Sequence, residues 1–134
     1  MFDDLKSWTI EFVKHKDVFT KNLIDFNAKE DSVEFNFKDK KHTYITKEIL
    51  DDSLKNRIKE GYFAVVCLNK KENLDFLIKN WDFFAKFQKV SILFVNLKTN
   101  ERWIIYPSTH DSLTEREALK PGLNSLYQSI TPVK

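Results

Sequence analysis

The chain has 134 residues, of which 42% are hydrophobic and 31% charged, with only two glycines and three prolines. That composition excludes a collagenous, linker-rich or disordered chain and predicts one globular domain, residues 1–134, that buries about two-thirds of its unfolded surface. Basic and acidic residues number 22 and 20, and only Arg57, Arg102 and Arg116 are arginine, which weighs against base-reading contacts with nucleic acid.

Phe2, Leu5, Trp8, Thr9, Phe12 and Val13 recur at three- and four-residue steps, the stripe of an amphipathic helix. Asp3 or Asp4 can cap its start by accepting free backbone N–H groups. Phe19, Leu23 and Phe26 continue the spacing from Phe12. The pattern therefore predicts one helix over 3–26, or two pieces meeting near 15–17, where Lys14-His15-Lys16-Asp17 interrupts the stripe. Val33, Phe35 and Phe37 then alternate with Glu34, Asn36 and Lys38, the period of a half-exposed strand. A turn at 39–41 and a return strand at 42–46 complete a hairpin. Leu50, Leu54 and Ile58 step by four, and Gly61 suits a helix C-cap, which predicts a helix over 48–60.

Residues 62–68 and 90–95 are apolar without alternation, as strands are when both faces are covered. Between them 72–87 has helical spacing, with Leu74, Leu77, Ile78, Trp81, Phe84 and Ala85 on one stripe. A connection of that length makes the two strands parallel with a right-handed crossover. The short segment 96–100 turns the chain into an antiparallel strand over 101–106, with Trp103 and Ile105 on one face and Arg102, Ile104 and Tyr106 on the other. Residues 108–112 read as loop, Thr114-Glu115-Arg116-Glu117 as a capping box, and Pro121 as the start of a last helix that docks through Leu123, Leu126, Tyr127 and Ile130.

The expected fold is thus α/β with mixed α+β character: a single mixed sheet of about five strands, helices on both faces, in the order α-β-β-α-β-α-β-β-α. From residue 42 onward this order is similar to the thioredoxin fold. That family's redox chemistry needs Cys-x-x-Cys at the start of its first helix, and Thr46-Lys47-Glu48-Ile49 holds no cysteine, which excludes a thioredoxin-like reductase. A helix, a mixed sheet and a strand–helix–strand unit also suit the restriction-endonuclease fold. Such enzymes hold Mg²⁺ on carboxylates of adjacent central strands, and 62–68 and 90–95 contain neither Asp nor Glu. The one Asp-x-Lys run, Asp39-Lys40-Lys41, falls in a turn, so a catalytically inactive relative or another nucleic-acid-binding domain is what this reading leaves.

Cys67, the one cysteine, lies mid-strand, where burial raises a thiol's pKa and blocks attack. Its solitude and the absence of basic residues in Met1-Phe2-Asp3-Asp4 predict a cytoplasmic setting, and no apolar run approaches the roughly 18 residues of a membrane helix. His15, His42 and His110 fall on separate elements without metal-ligand spacing, so no metal or cofactor is expected. Two glycines leave no phosphate-cradling loop.

Three candidate sites follow. Asn69, Lys70, Lys71 and Lys98 sit beyond the carboxyl ends of the parallel strands, where α/β sheets bind ligands, and suit a small anion. Tyr106, His110 and Asp111 gather polar groups at the other end. Phe76, Phe83 and Phe87 lie outside the main stripe of helix 72–87, an apolar surplus that must be buried on more than one side. Since none of these makes a catalytic constellation, the sequence predicts a non-catalytic domain that acts through protein contact, as a homodimer or with another protein, with anion binding and nucleic-acid binding as the alternatives.

Overall fold

The computed structural model describes residues 3–134; the place expected for Phe2 on the first stripe falls outside the described residues. The first helix, α1, spans Leu5–Lys16, and its start is set by Asp4, whose Oδ1 accepts the Ser7 N–H at 2.7 Å. Leu5, Trp8, Thr9 and Val13 form its buried face.

Helix α1 does not run on to residue 26. Asp17 stops it: Oδ1 accepts from Asn22 N (2.9 Å) and Thr20 Oγ1 (2.9 Å), and Oδ2 from Leu23 N (3.0 Å). Three donors bound by one side chain close a turn that a continuing helix would forbid, and Lys21 takes φ 50° to complete it. The second piece is a strand, β1 (Leu23–Ala28), which raises the strand count to six.

The strands β2 (Ser32–Phe37), β3 (Lys41–Thr46), β4 (Tyr62–Leu68), β5 (Val90–Asn96) and β6 (Glu101–Ile105) follow, and all six lie side by side in chain order. Pairs β1–β2, β2–β3 and β5–β6 are antiparallel, while β3–β4 and β4–β5 are parallel. The expected parallel pair is therefore present, with Val65 opposite Ile92 and Cys67 opposite Phe94. Every residue of β5 is buried.

The helix expected over 48–60 is a 3-10 turn, Asp52–Asn56. Leu50, Leu54 and Ile58 are buried as their spacing requires. The backbone is instead held by side chains: Asp51 Oδ1 accepts from Ser53 N, and Asn73 Oδ1 accepts from Leu50 N. Gly61 does carry positive φ, 131°, with no α-helix before it. The first helix of a thioredoxin-like unit is accordingly missing.

Segment 72–87 is two helices, α2 (Lys71–Lys79) and α3 (Trp81–Ala85). They part at Asn80, whose Nδ2 donates to the Phe76 carbonyl at 2.9 Å while its own carbonyl accepts from Phe83 and Phe84. The break lets both apolar stripes meet one core, with Leu74, Leu77, Trp81, Phe84 and Phe87 all buried. Residues 108–112 are helical rather than loop, within α4 (Pro107–Leu113), because Pro107 stands at the first position with its φ already set. The Thr114–Glu117 pattern forms no capping-box bond; Arg116–Ala118 is a 3-10 turn leading directly into α5 (Leu119–Gln128), so Pro121 falls inside the first turn, two residues after the helix start.

Helix α1 covers one face of the sheet, packing Leu5, Trp8 and Val13 on Val33, Phe35, Tyr44, Val66 and Leu93. The other face is covered by the 3-10 turn, α2, α3 and α5 around Val65, Cys67, Ile92, Phe94 and Trp103. Leu123 is fully buried, and Leu126, Tyr127 and Ile130 pack beside it as the docking stripe predicted. No helix among the described residues is long and apolar enough to cross a membrane.

Candidate functional site

The lengths of α1 and the sheet create the site. Twelve residues of helix cover the sheet only as far as Val13 and Lys16. Below that point the same face continues with His42 and Tyr62 at the amino ends of β3 and β4, Ser91 near the start of β5, and Tyr106 just past β6. The uncovered part is a cavity of about 490 Å³. Its walls are Phe12 and Val13 from α1, Phe37 from β2, Tyr44 from β3 and Leu93 and Ile104 from the far strands.

Three lysines from three elements meet there: Lys16 at the end of α1, Lys40 in the β2–β3 turn and Lys89 before β5. The Lys40 and Lys89 ammoniums lie 4.8 and 4.9 Å from the centroid of the same Tyr62 ring, and Lys16 is 5.3 Å from that of Phe12. Burial, then the charge of Lys40, lowers the Lys16 pKa. None of the three makes an ion pair with a carboxylate of the described residues.

The one carboxylate in the lining, Asp17, is occupied by its turn. Burial raises its pKa, but donation from Leu23, Asn22 and Thr20 outweighs that and holds it below the usual range. The C-terminus of α1 adds roughly half a negative charge. Against three ammoniums the balance stays positive. A second depression, over the open face of β2 and β3, contrasts with this: Glu34 is paired by Lys29 (3.4 Å) and Lys41 (3.2 Å), and Asp31 by Arg57 (2.8 Å). Three of its four cations are thus paired with carboxylates.

His42 forms part of the cavity floor. Its ring stands 4.5 Å from that of Tyr44 and 5.8 Å from that of Tyr62, and its Nε2 is closed off from water with no hydrogen-bond partner. Burial, then Lys40 and Lys16, lowers its pKa to about 4, so the ring is neutral at pH 7. Burial, then Tyr106, raises that of Tyr44. Neutral aromatic and hydroxyl groups thus make the floor, and cations make the rim.

The residues singled out from the sequence fall elsewhere, with one exception. Asn69 is fully buried: its Oδ1 accepts from Trp103 Nε1 at 2.8 Å, and Nδ2 donates to the carbonyls of Tyr127 and Thr131. Lys71 donates to Asn124 and pairs with Asp75, and the Lys98 N–H is bound by Asn96 Oδ1. The C-terminal segment straps this end of the sheet, with Thr131 bonded to Asn96 and Glu101 and Val133 to Asn69. Lys70 begins α2 without a capping bond. Tyr106 lines the cavity, whereas Asp111 accepts from Trp81 and Arg116, both at 2.9 Å, and His110 packs edge-on against Trp81. Phe87 is buried, and Phe76 and Phe83 pack half-buried against the core, each in contact with Phe84.

The lysines, His42 and Tyr62 were missed because they come from distant parts of the chain. One signal was available: His42 and Tyr44 alternate onto the face of Val33, Phe35 and Phe37, where the partner strand β2 places only apolar groups. Among the described residues, no cluster of three or more His, Cys, Asp and Glu could hold a metal. No family model matches the chain, and no curated protein or solved structure matches it either.

Proposed function

We propose that this domain binds a small organic anion in the cavity between the end of α1 and the amino ends of β3–β5. The reading rests on one observation: Lys16, Lys40 and Lys89, none paired with a carboxylate of the described residues, converge on a cavity lined by the neutral His42 ring. A cavity with apolar walls and a few convergent polar groups is the usual form of a small-ligand site.

The test is amide chemical-shift mapping with benzoate, succinate and inorganic phosphate at about 10 mM, a weak-binding regime. Shifts gathered at Lys16, His42, Lys89 and Ser91 support the reading. Shifts gathered at Lys70, Lys71 and Lys98 move the site to the opposite end of the sheet, and no shifts at all remove it.

A second reading, contact with another copy of the chain, is favoured by a different observation. Val18, Phe19 and Ile24, beside the edge strand β1, are 54%, 94% and 64% exposed. Light scattering on the eluting protein tests it: a dimer that Phe19→Ser converts to a monomer supports the reading, and a monomer at all concentrations removes it.

A further inference from the structure

We infer, resting on the anion-binding reading above, that the cavity selects a flat organic dianion: a planar ring carrying a phosphate monoester or two adjacent carboxylates. Charge is the first argument. Three ammoniums against the Asp17 carboxylate and the partial charge of the α1 terminus leave an excess between one and two positive charges. A monoanion leaves part of that excess facing itself in a half-desolvated space, and a dianion closes it.

Distance is the second argument. Lys40 and Lys89 each lie within 5 Å of one ring centroid, so their ammoniums are no more than about 10 Å apart, well within one Debye length at low salt. Two lysines held that close repel until a ligand's charge lies between them. An anionic group with three or four acceptor oxygens serves both at once.

Shape and size give the ring. Phe12 from α1 and Tyr44, Leu93 and Ile104 from the sheet all line the cavity, so a ring entering it meets apolar and aromatic surface from both layers. A volume near 490 Å³ lies in the lower half of the range for organic ligands, enough for a ring with its anionic group. Tyr44 and Ser91, in the lining beside the neutral His42 ring, supply the polar groups within the cavity. The neutral His42 ring lines the cavity without adding a fourth charge.

Calorimetric titration at pH 8 and low salt, where a phosphate monoester is fully ionised, separates the arguments through four probes. Phenyl phosphate and phthalate carry ring and double charge, benzoate the ring with one charge, and inorganic phosphate the double charge without a ring. The expected result is that phenyl phosphate, phthalate or both bind at least about tenfold tighter than benzoate and than inorganic phosphate. Which of the two dianions wins identifies the anionic group. Lys40→Ala is expected to weaken the preferred dianion by about tenfold and benzoate by less, with Lys120→Ala, on the distant α5, leaving both unchanged. Thermal melting of Lys40→Ala shows whether it folds, and Lys89→Ala repeats the comparison with the second lysine beside Tyr62. Benzoate binding as tightly as both dianions overturns the charge argument, and inorganic phosphate binding as tightly as both phenyl phosphate and phthalate overturns the ring. If simple anions shift the cavity amides but no ring-bearing dianion gains affinity, this inference falls and the anion-binding reading stands. If no anion reaches those amides, both fall.

Discussion

Asn69 Oδ1 accepts the indole N–H of Trp103 at 2.8 Å, a buried bond joining residues 34 positions apart. The same amide donates to two carbonyls of the C-terminal segment, and the Asn69 backbone bonds Val95 and Val133. Trp103 in turn stacks flat on Phe94, with centroids 4.2 Å apart. Asn69 is therefore a structural joint at the carboxyl ends of β4 and β5. Asn69→Ala leaves the buried Trp103 indole N–H without its acceptor and the Tyr127 carbonyl without its side-chain donor, while the Thr131 carbonyl keeps the Asn96 amide, and it is expected to cost about 2–3 kcal/mol of stability. Lys70→Ala next to it should stay within about 0.5 kcal/mol. Urea unfolding of the two variants checks this, and equal small effects would show that the amide is replaceable by water.

His42 makes stability depend on pH in a defined window. Its pKa is about 4 in the folded chain and 6.5 unfolded, so between these values the unfolded chain holds a proton that the folded chain lacks. Stability then rises with pH through the window: it is fully present above about 6.5 and is lost as pH falls towards 4. The full loss is about 3 kcal/mol. Carboxylates held low by hydrogen bonds, such as Asp51 at about 2, add their own loss only in more acid solution. His42→Gln should flatten the profile between pH 6.5 and 5 while leaving the acid limb in place. Urea midpoints measured at half-unit pH steps decide it, and an unchanged slope in the variant would assign the effect to another group.

The two glycines respond to substitution in opposite directions. Gly61 has φ 131°, a conformation that side-chain-bearing residues rarely adopt, although a Cβ there would meet only the Phe63 ring at 3.7 Å. Gly61→Ala is therefore strained through its backbone and should cost about 1–2 kcal/mol. Gly122 lies inside α5, and a Cβ there has nothing within 4 Å. Gly122→Ala should stabilise by up to about 1 kcal/mol through helix propensity. Thermal melts of both variants test the pair, and the same sign for both would contradict the argument.

The parts of the fold that were legible in the sequence are those where burial dictates the pattern. Strands β4 and β5 are covered on both faces and read as unbroken apolar runs, and Phe35 and Phe37 reveal β2 by alternation. Strand β1 is an edge, almost wholly exposed, so burial imposes no period on it. Its Leu23 and Phe26 happen to fit the helical step from Phe12. The 3-10 turn at 52–56 and the break at Asn80 share a different cause: side chains of Asp51, Asn73 and Asn80 take backbone partners that a longer helix would need. Hydropathy does not record such bonds. The cavity was illegible for a third reason, since Lys16, Lys40 and Lys89 become neighbours only because α1 stops short of the sheet's end.

Asp17 decides where α1 stops, and so whether the cavity exists. Its carboxylate binds Thr20, Asn22 and Leu23 together, fixing the turn that sends the chain into β1. Without it the apolar spacing from Phe12 through Phe19 to Phe26 favours helix across the turn. Asp17→Ala should therefore lower the urea midpoint and loosen β1, and Asp17→Asn, which keeps one acceptor oxygen, should fall between it and the parent chain. Hydrogen exchange reads the local effect. The amides of Asn22 and Leu23, which donate to Asp17, should lose protection in Asp17→Ala, while those of β4 and β5 keep theirs relative to global stability. If Asn22 and Leu23 stay protected in the alanine variant, backbone geometry alone holds the turn, and the helix boundary has another cause. Because the aspartate is also the one carboxylate lining the cavity, Asp17→Asn should tighten binding of an anionic probe such as phenyl phosphate by removing an opposing charge. Weaker binding to a variant that still folds would place Asp17 among the groups that contact the ligand.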